Sequence, residues 1–113
     1  MAKVEIIGSL AKEIQQKFKS ESSEVVKLLR TLETNPYKGK PVGQVRGIVI
    51  KELKYKSFRF YFITNGYQLR VLSTEKLRDL LIKFIRMSDK KSQQGTINEI
   101  KDILRKIGSE GFG

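Results

Sequence analysis

The stretch Ser57-Phe58-Arg59-Phe60-Tyr61-Phe62-Ile63-Thr64-Asn65-Gly66-Tyr67-Gln68-Leu69-Arg70-Val71-Leu72-Ser73 reads as two β-strands joined by a two-residue Asn-Gly turn, with one arginine on each strand. Both central residues of a type I′ turn need positive φ, which Asn and Gly tolerate best. Alternation with a period of two sets Phe58, Phe60 and Phe62 on one face of the first strand and Arg59, Tyr61 and Ile63 on the other. The phenylalanine face is expected to pack into a core, leaving the Arg-Tyr face to meet a polyanion.

Upstream of this stretch, Val45 to Tyr55 is strand-like through Ile48, Val49 and Ile50, and Lys56-Ser57 turns the chain into the Phe58 strand, so three neighbouring strands form an antiparallel meander. Tyr37 to Gly43 reads as a basic loop. Nearer the start, Val4 to Ile7 suits a first strand, and Ser9 offers an N-cap to a helix carrying Leu10, Ile14 and Phe18. After the polar break Lys19 to Ser23, Ser22 or Ser23 can cap a second helix with an apolar stripe of Val25, Val26, Leu28, Leu29 and Leu32. That helix should stop near Asn35-Pro36, because the residue before a proline is pushed out of the α region.

Downstream, Thr74 to Met87 fits both a helical stripe and strand alternation. A turn or short helical start over Thr74 to Leu77, then a strand over roughly Leu80 to Met87, is the expectation. Ser88 to Gly95 is a polar loop; Thr96 or Asn98 then caps a helix bearing Ile97, Ile100, Leu104 and Ile107, ended by Gly108. The fold class that results is α+β. An N-terminal strand and helical hairpin pack on a curved antiparallel sheet of about four to five strands, followed by a C-terminal helix. Residues 1–113 form one domain, with residues 109–113 expected as a flexible tail.

The 113 residues contain neither cysteine nor histidine. Disulfides, thiolate chemistry and sulfur-built metal sites are therefore excluded, and the commonest general base is missing. No cofactor or metal is expected. No stretch approaches the length of a membrane span, and Glu5 interrupts the first short apolar run, so a cytoplasmic address is expected. The net charge of +11 is uneven: residues 1–37 carry six basic and five acidic side chains, whereas residues 38–113 carry seventeen and seven. Such a field attracts nucleic acid, acidic protein segments or anionic surfaces, although charge runs also serve as plain solvated faces.

No P-loop, dinucleotide fingerprint, zinc signature or nucleophile elbow occurs. Glu52, Asp79 and Asp89 are scattered among cations and read as local charge partners. What chemistry remains is cationic. Arg59 and Tyr61 on one strand face can hold a phosphate and stack on a base, with Arg70 joining them if the hairpin register allows. Lys90 and Lys91 leave the end of the last strand and could close the groove. Against these readings stand a structural ion pair of Arg59 with Glu52, a half-buried strand tyrosine, and a solvated lysine loop.

The order of elements resembles the RelE/ParE toxin superfamily of type II toxin-antitoxin systems, closest to its HigB-like branch. The matching pieces are Leu32 to Pro36 closing the helical hairpin, Glu52-Leu53-Lys54, the arginine-bearing strand Phe58-Arg59-Phe60-Tyr61-Phe62, and Lys90-Lys91-Ser92-Gln93 ahead of the helix with Glu99-Ile100. The resemblance spans about Val4 to Ile107. It implies a toxin that enters the ribosomal A site and cleaves messenger RNA without metal, the 2′-OH acting as nucleophile. The catalytic set it suggests is Arg59, Lys91 and Tyr61, with Lys54, Arg70, Lys90 and Arg86 holding RNA. The partners implied are messenger RNA, the ribosome and an acidic antitoxin, with a homodimer or a hetero-oligomer with that antitoxin as assembly. The chain departs from the family pattern at Ile50 and Glu52, where RelE presents lysines, and no tyrosine or histidine follows Lys91 at the position of the family's base or stacking ring. Alternative readings are a ParE-like topoisomerase inhibitor, a basic RNA-binding module, or a structural domain whose charge only aids solubility.

Overall fold

A computed structural model describes residues 2–113. Five strands form one mixed sheet in the order β1-β5-β4-β3-β2, comprising β1 (Lys3–Ile6), β2 (Lys40–Val45), β3 (Ile48–Tyr55), β4 (Phe58–Asn65) and β5 (Leu81–Asp89). The meander β2-β3-β4-β5 is antiparallel, with β5 beside β4 where the strand after Asn-Gly was expected, while β1 lies parallel to β5 at the edge. Helices α1 (Gly8–Phe18) and α2 (Ser22–Arg30) form the hairpin after β1, α3 (Gly66–Val71) follows β4, and α4 (Gln93–Ile107) ends the domain. A 3₁₀ turn over Thr74–Asp79 leads into β5, so the ambiguous 74–87 segment resolves as a helical start and a strand.

The Asn-Gly pair does not make a hairpin. Asn65 is extended, with φ −73° and ψ 110°, and its side chain accepts a hydrogen bond from the Gln68 amide at 3.0 Å, making it the N-cap of α3. Residues 67–71 are therefore helical, and Arg70 lies on no strand. Gly66 is required here by proximity: its amide donates to the Gly47 carbonyl at 2.9 Å, and a Cβ would fall 2.6 Å from the Val49 side chain. The turn with two positive φ values sits elsewhere, at Arg46 (52°) and Gly47 (81°), where it joins β2 to β3. The basic loop expected up to Gly43 thus contributes the strand from Lys40 onward. Lys56-Ser57 joins β3 to β4 as expected, with Lys56 at φ 54°.

Both faces of the sheet are covered. On one, Leu10, Ile14 and Phe18 of α1 and Val25 and Leu29 of α2 bury their stripe. The Phe18 ring meets Tyr55, Phe58 and Phe60 at centroid distances of 5.5, 5.3 and 6.0 Å. A bulge in β5 leaves Ile85 as an extra residue between the Phe62–Phe84 and Tyr61–Arg86 pairs, which brings the Phe62 and Phe84 rings to 4.9 Å on this same side. On the other face lies α4, burying Ile97, Ile100 and Leu104. Its C-terminus at Gly108 matches expectation, but its start at Gln93 precedes the anticipated caps. Where a tail over 109–113 was expected, Gly108–Phe112 form a 3₁₀ turn whose Phe112 is buried and lies under the Arg86 guanidinium at 5.4 Å.

Two stability measurements follow from this packing. Phe18→Ala removes a ring shared by three aromatic partners and should cost about 3–5 kcal/mol in urea unfolding. Asn65→Ala should cost about 1 kcal/mol by removing the α3 cap, while Asn65→Ser, which still caps, should stay within about 0.5 kcal/mol of the parent. A large loss with serine would restore the turn reading of this pair.

Candidate functional site

The pairing of β3, β4 and β5 sets the candidate residues in two rows on the α4 side of the sheet. Lys54, Arg59 and Ser88 form one row; Glu52, Tyr61 and Arg86 form the next. The turn Lys90-Lys91-Ser92 follows directly from β5 and leads into α4. Four of the seven sequence-derived candidates (Lys54, Arg59, Tyr61 and Arg86) therefore share one face, and Lys90 and Lys91 stand at its end.

Burial divides them. Arg59 is 8% exposed and Tyr61 0%, because α4 lies over the face that the sequence reading left open. The apolar stripe of α4 needs a surface, and α1 and α2 already occupy the opposite face. Tyr61 consequently cannot stack on a base: its hydroxyl is hydrogen-bonded to Ser88 Oγ at 2.8 Å, and burial pushes its pKa upward. It remains a neutral phenol and serves to hold Ser88 beside Arg59.

Arg59 donates from Nη1 to the Ser57 carbonyl at 3.4 Å, and its buried Nε has no partner among the described residues. No ion pair joins it to Glu52 among the described residues. Glu52, 4% exposed, accepts instead from Gln93 Nε2 at 3.1 Å, which ties the first turn of α4 to β3. A guanidinium with unused donor capacity in a confined site has a stronger field than one in water, and a planar fork suits a phosphate.

Arg86 is committed to the structure rather than open to RNA. Its Nε pairs with Glu99 at 2.9 Å, Nη1 donates to the Ile85 carbonyl at 2.8 Å, and the group lies over Phe112. Arg70 is separated from the set altogether. It borders a groove shared with Lys51, whose strand position faces Phe62 on the opposite side of the sheet. Lys54, Lys90 and Lys91 are exposed, and none is ion-paired among the described residues.

The lysine turn has its own clasp. Asp89 Oδ1 accepts from the Ser92 amide at 2.8 Å, and hydrogen bonds from Ser92 hold its carboxyl below the usual carboxylate range. Ser88, Gln93 and Lys51 were not anticipated as site residues. For Lys51 a signal existed, since it alternates with Val49 and Leu53 on a strand face that is otherwise apolar. Among the described residues no group of three or more Asp or Glu side chains could hold a metal ion, and no helix is long and apolar enough to cross a membrane.

Comparison of the chain with protein-family models, with curated proteins and with solved structures returns no significant match.

Because the Asp89 carboxyl is depressed in the folded state, its contribution to stability is present above its unfolded pKa of about 3.9 and lost as pH falls through the lower folded value. Between pH 5 and pH 3, unfolding measurements should show a loss in the parent that is smaller in Asp89→Asn. Identical pH profiles for the two would contradict the clasp.

Proposed function

We propose that this protein is the toxin of a type II toxin-antitoxin pair, acting on translation through ribosome-dependent cleavage of messenger RNA. The observation that carries the reading is the row Lys54-Arg59-Ser88 with Lys90 and Lys91 at its end, in which the buried Arg59 retains an unpartnered donor. The element order shared with the RelE/ParE superfamily supports it. In this reading Arg59 binds the scissile phosphate, Lys91 approaches it from the turn, and Lys54 and Lys90 attract the flanking backbone. The 2′-oxygen of the RNA attacks phosphorus as its proton passes to solvent water, the bond from phosphorus to the 5′-oxygen breaks, and the departing 5′-oxygen takes a proton from water, leaving a 2′,3′-cyclic phosphate and a 5′-hydroxyl. Preorganised cations stabilise the charge that develops on the phosphoryl oxygens. Tyr61 acts as a positioning residue through Ser88, and Arg86 through Glu99 of α4.

The placement of α4 over Arg59 favours a second reading, a non-catalytic module that binds through the exposed lysines alone, either to RNA or in the manner of a topoisomerase inhibitor. Mapping messenger RNA 5′ ends after induction separates the two. Cleavage predicts new ends with the parent, and a fall of about 10²–10³ in their formation with Arg59→Ala, the scale expected for one lost electrostatic donor. Growth arrest with no new ends, or new ends undiminished in a folded Arg59→Ala protein, would overturn the nuclease assignment. An acidic antitoxin, partly disordered until bound, fits the basic half of the chain as partner. A short acidic reading frame beside this one would support that pairing.

A further inference from the structure

Across the sheet from Arg59, α3 and the β2 edge enclose a groove of about 470 Å³ bordered by Pro41, Gln44, Val49, Leu69, Lys51 and Arg70. Lys51 is 4% exposed. Its ammonium donates to the Tyr37 carbonyl at 2.9 Å and lies 5.9 Å from the centroid of the Phe62 ring, and no carboxylate pairs with it among the described residues. No acidic side chain among the described residues borders the groove. Arg70 adds a second cation at its mouth, exposed and likewise outside any ion pair among the described residues.

A buried ammonium is costly unless it is paired, and replacing it with an apolar side chain is often neutral or stabilising. Here the charge is held by one carbonyl and one ring, with a second cation nearby that only increases repulsion. Burial accordingly pushes the Lys51 pKa downward. The arrangement does little for the stability of the fold. It does suit an anion that would sit between the two side chains. The rest of the groove is apolar at Pro41, Val49 and Leu69, so the complementary ligand has an anionic head and an apolar body.

We propose that the groove between α3 and β2 is a binding site for a small organic carboxylate, its head held between Lys51 and Arg70 and its body resting on Val49 and Leu69. The site is independent of the nuclease reading. It uses none of the residues on the α4 side.

The test uses the full chain, titrated with 3-phenylpropanoate and followed by amide NMR, with 3-phenylpropanol and inorganic phosphate in parallel. The carboxylate should give saturable shifts centred on Val49, Gly66, Leu69 and Arg70. The alcohol and phosphate should bind at least tenfold more weakly. Arg70→Ala and Lys51→Met should each weaken the carboxylate at least tenfold, and Lys51→Met should melt no lower than the parent. Absence of saturable shifts, equal binding of the alcohol or of phosphate, or unchanged binding in either variant would overturn the proposal. A lower melting temperature for Lys51→Met would do so too, since Lys51 would then be a structural strut.

Discussion

Burial of β4 on both faces is the constraint from which the rest of the structure follows. From Arg59 to Thr64 every residue of this strand is buried. One side gives Phe58 and Phe60 to the aromatic cluster around Phe18 and Phe62 to the Phe84 ring, and the other gives Tyr61 and Ile63 to the layer beneath α4. A central strand covered twice must accept whatever polar groups its alternation places inward, and these must then find partners. Tyr61 finds Ser88 and Thr64 finds the Leu81 carbonyl, while Arg59 is only partly satisfied; on the neighbouring β3, Glu52 finds Gln93. The position of α4 is thus fixed by two demands at once, an apolar stripe needing cover and a row of polar side chains needing hydrogen bonds.

That same covering changes what a basic face can do. An exposed stripe of Arg, Tyr and Lys would offer stacking and phosphate contacts along its length. Here the exposed charge beside this face is carried by Lys54, Lys90 and Lys91, and the Arg59 guanidinium, with its unpartnered Nε, lies inside. Such a division suits a site in which exposed lysines provide attraction and a confined arginine provides selectivity for a phosphate that reaches it. It also explains why Arg86, adjacent in register to Tyr61, is spent on Glu99 and Phe112: it fastens the helix that confines the site.

Much of the fold was legible in the chain because its signals were redundant. Leu10, Ile14 and Phe18 recur at helical spacing, Phe58 to Phe62 alternate cleanly, and the Thr74 to Met87 segment carried both of the periodicities it proved to contain. The Asn65-Gly66 pair was misleading because the same two residues serve two devices. Asparagine suits a type I′ turn and a helix N-cap alike, and the apolar residues at Tyr67, Leu69 and Val71 fit alternation over so short a span as well as one helical turn. The true turn, Arg46-Gly47, was hidden because arginine rarely advertises a positive φ. For the site, the shared face of Arg59 and Tyr61 followed from period-two counting, whereas Lys54 and Arg86 join it through the strand register, which the sequence alone did not set. That α4 would cover this face did not follow either, since an amphipathic stripe says that a helix must pack but not on which side of the sheet.

The most direct test of the account is native-state hydrogen exchange on the unmodified chain, comparing α4 amides from Ile97 to Leu104 with β4 amides from Phe60 to Ile63. A helix docked as the second cover of β4 should exchange with the sheet, both sets opening at or near the global unfolding free energy. Exchange of the α4 amides at rates close to those of an undocked helix, with β4 still protected, would contradict the central claim that α4 confines the Arg59 face.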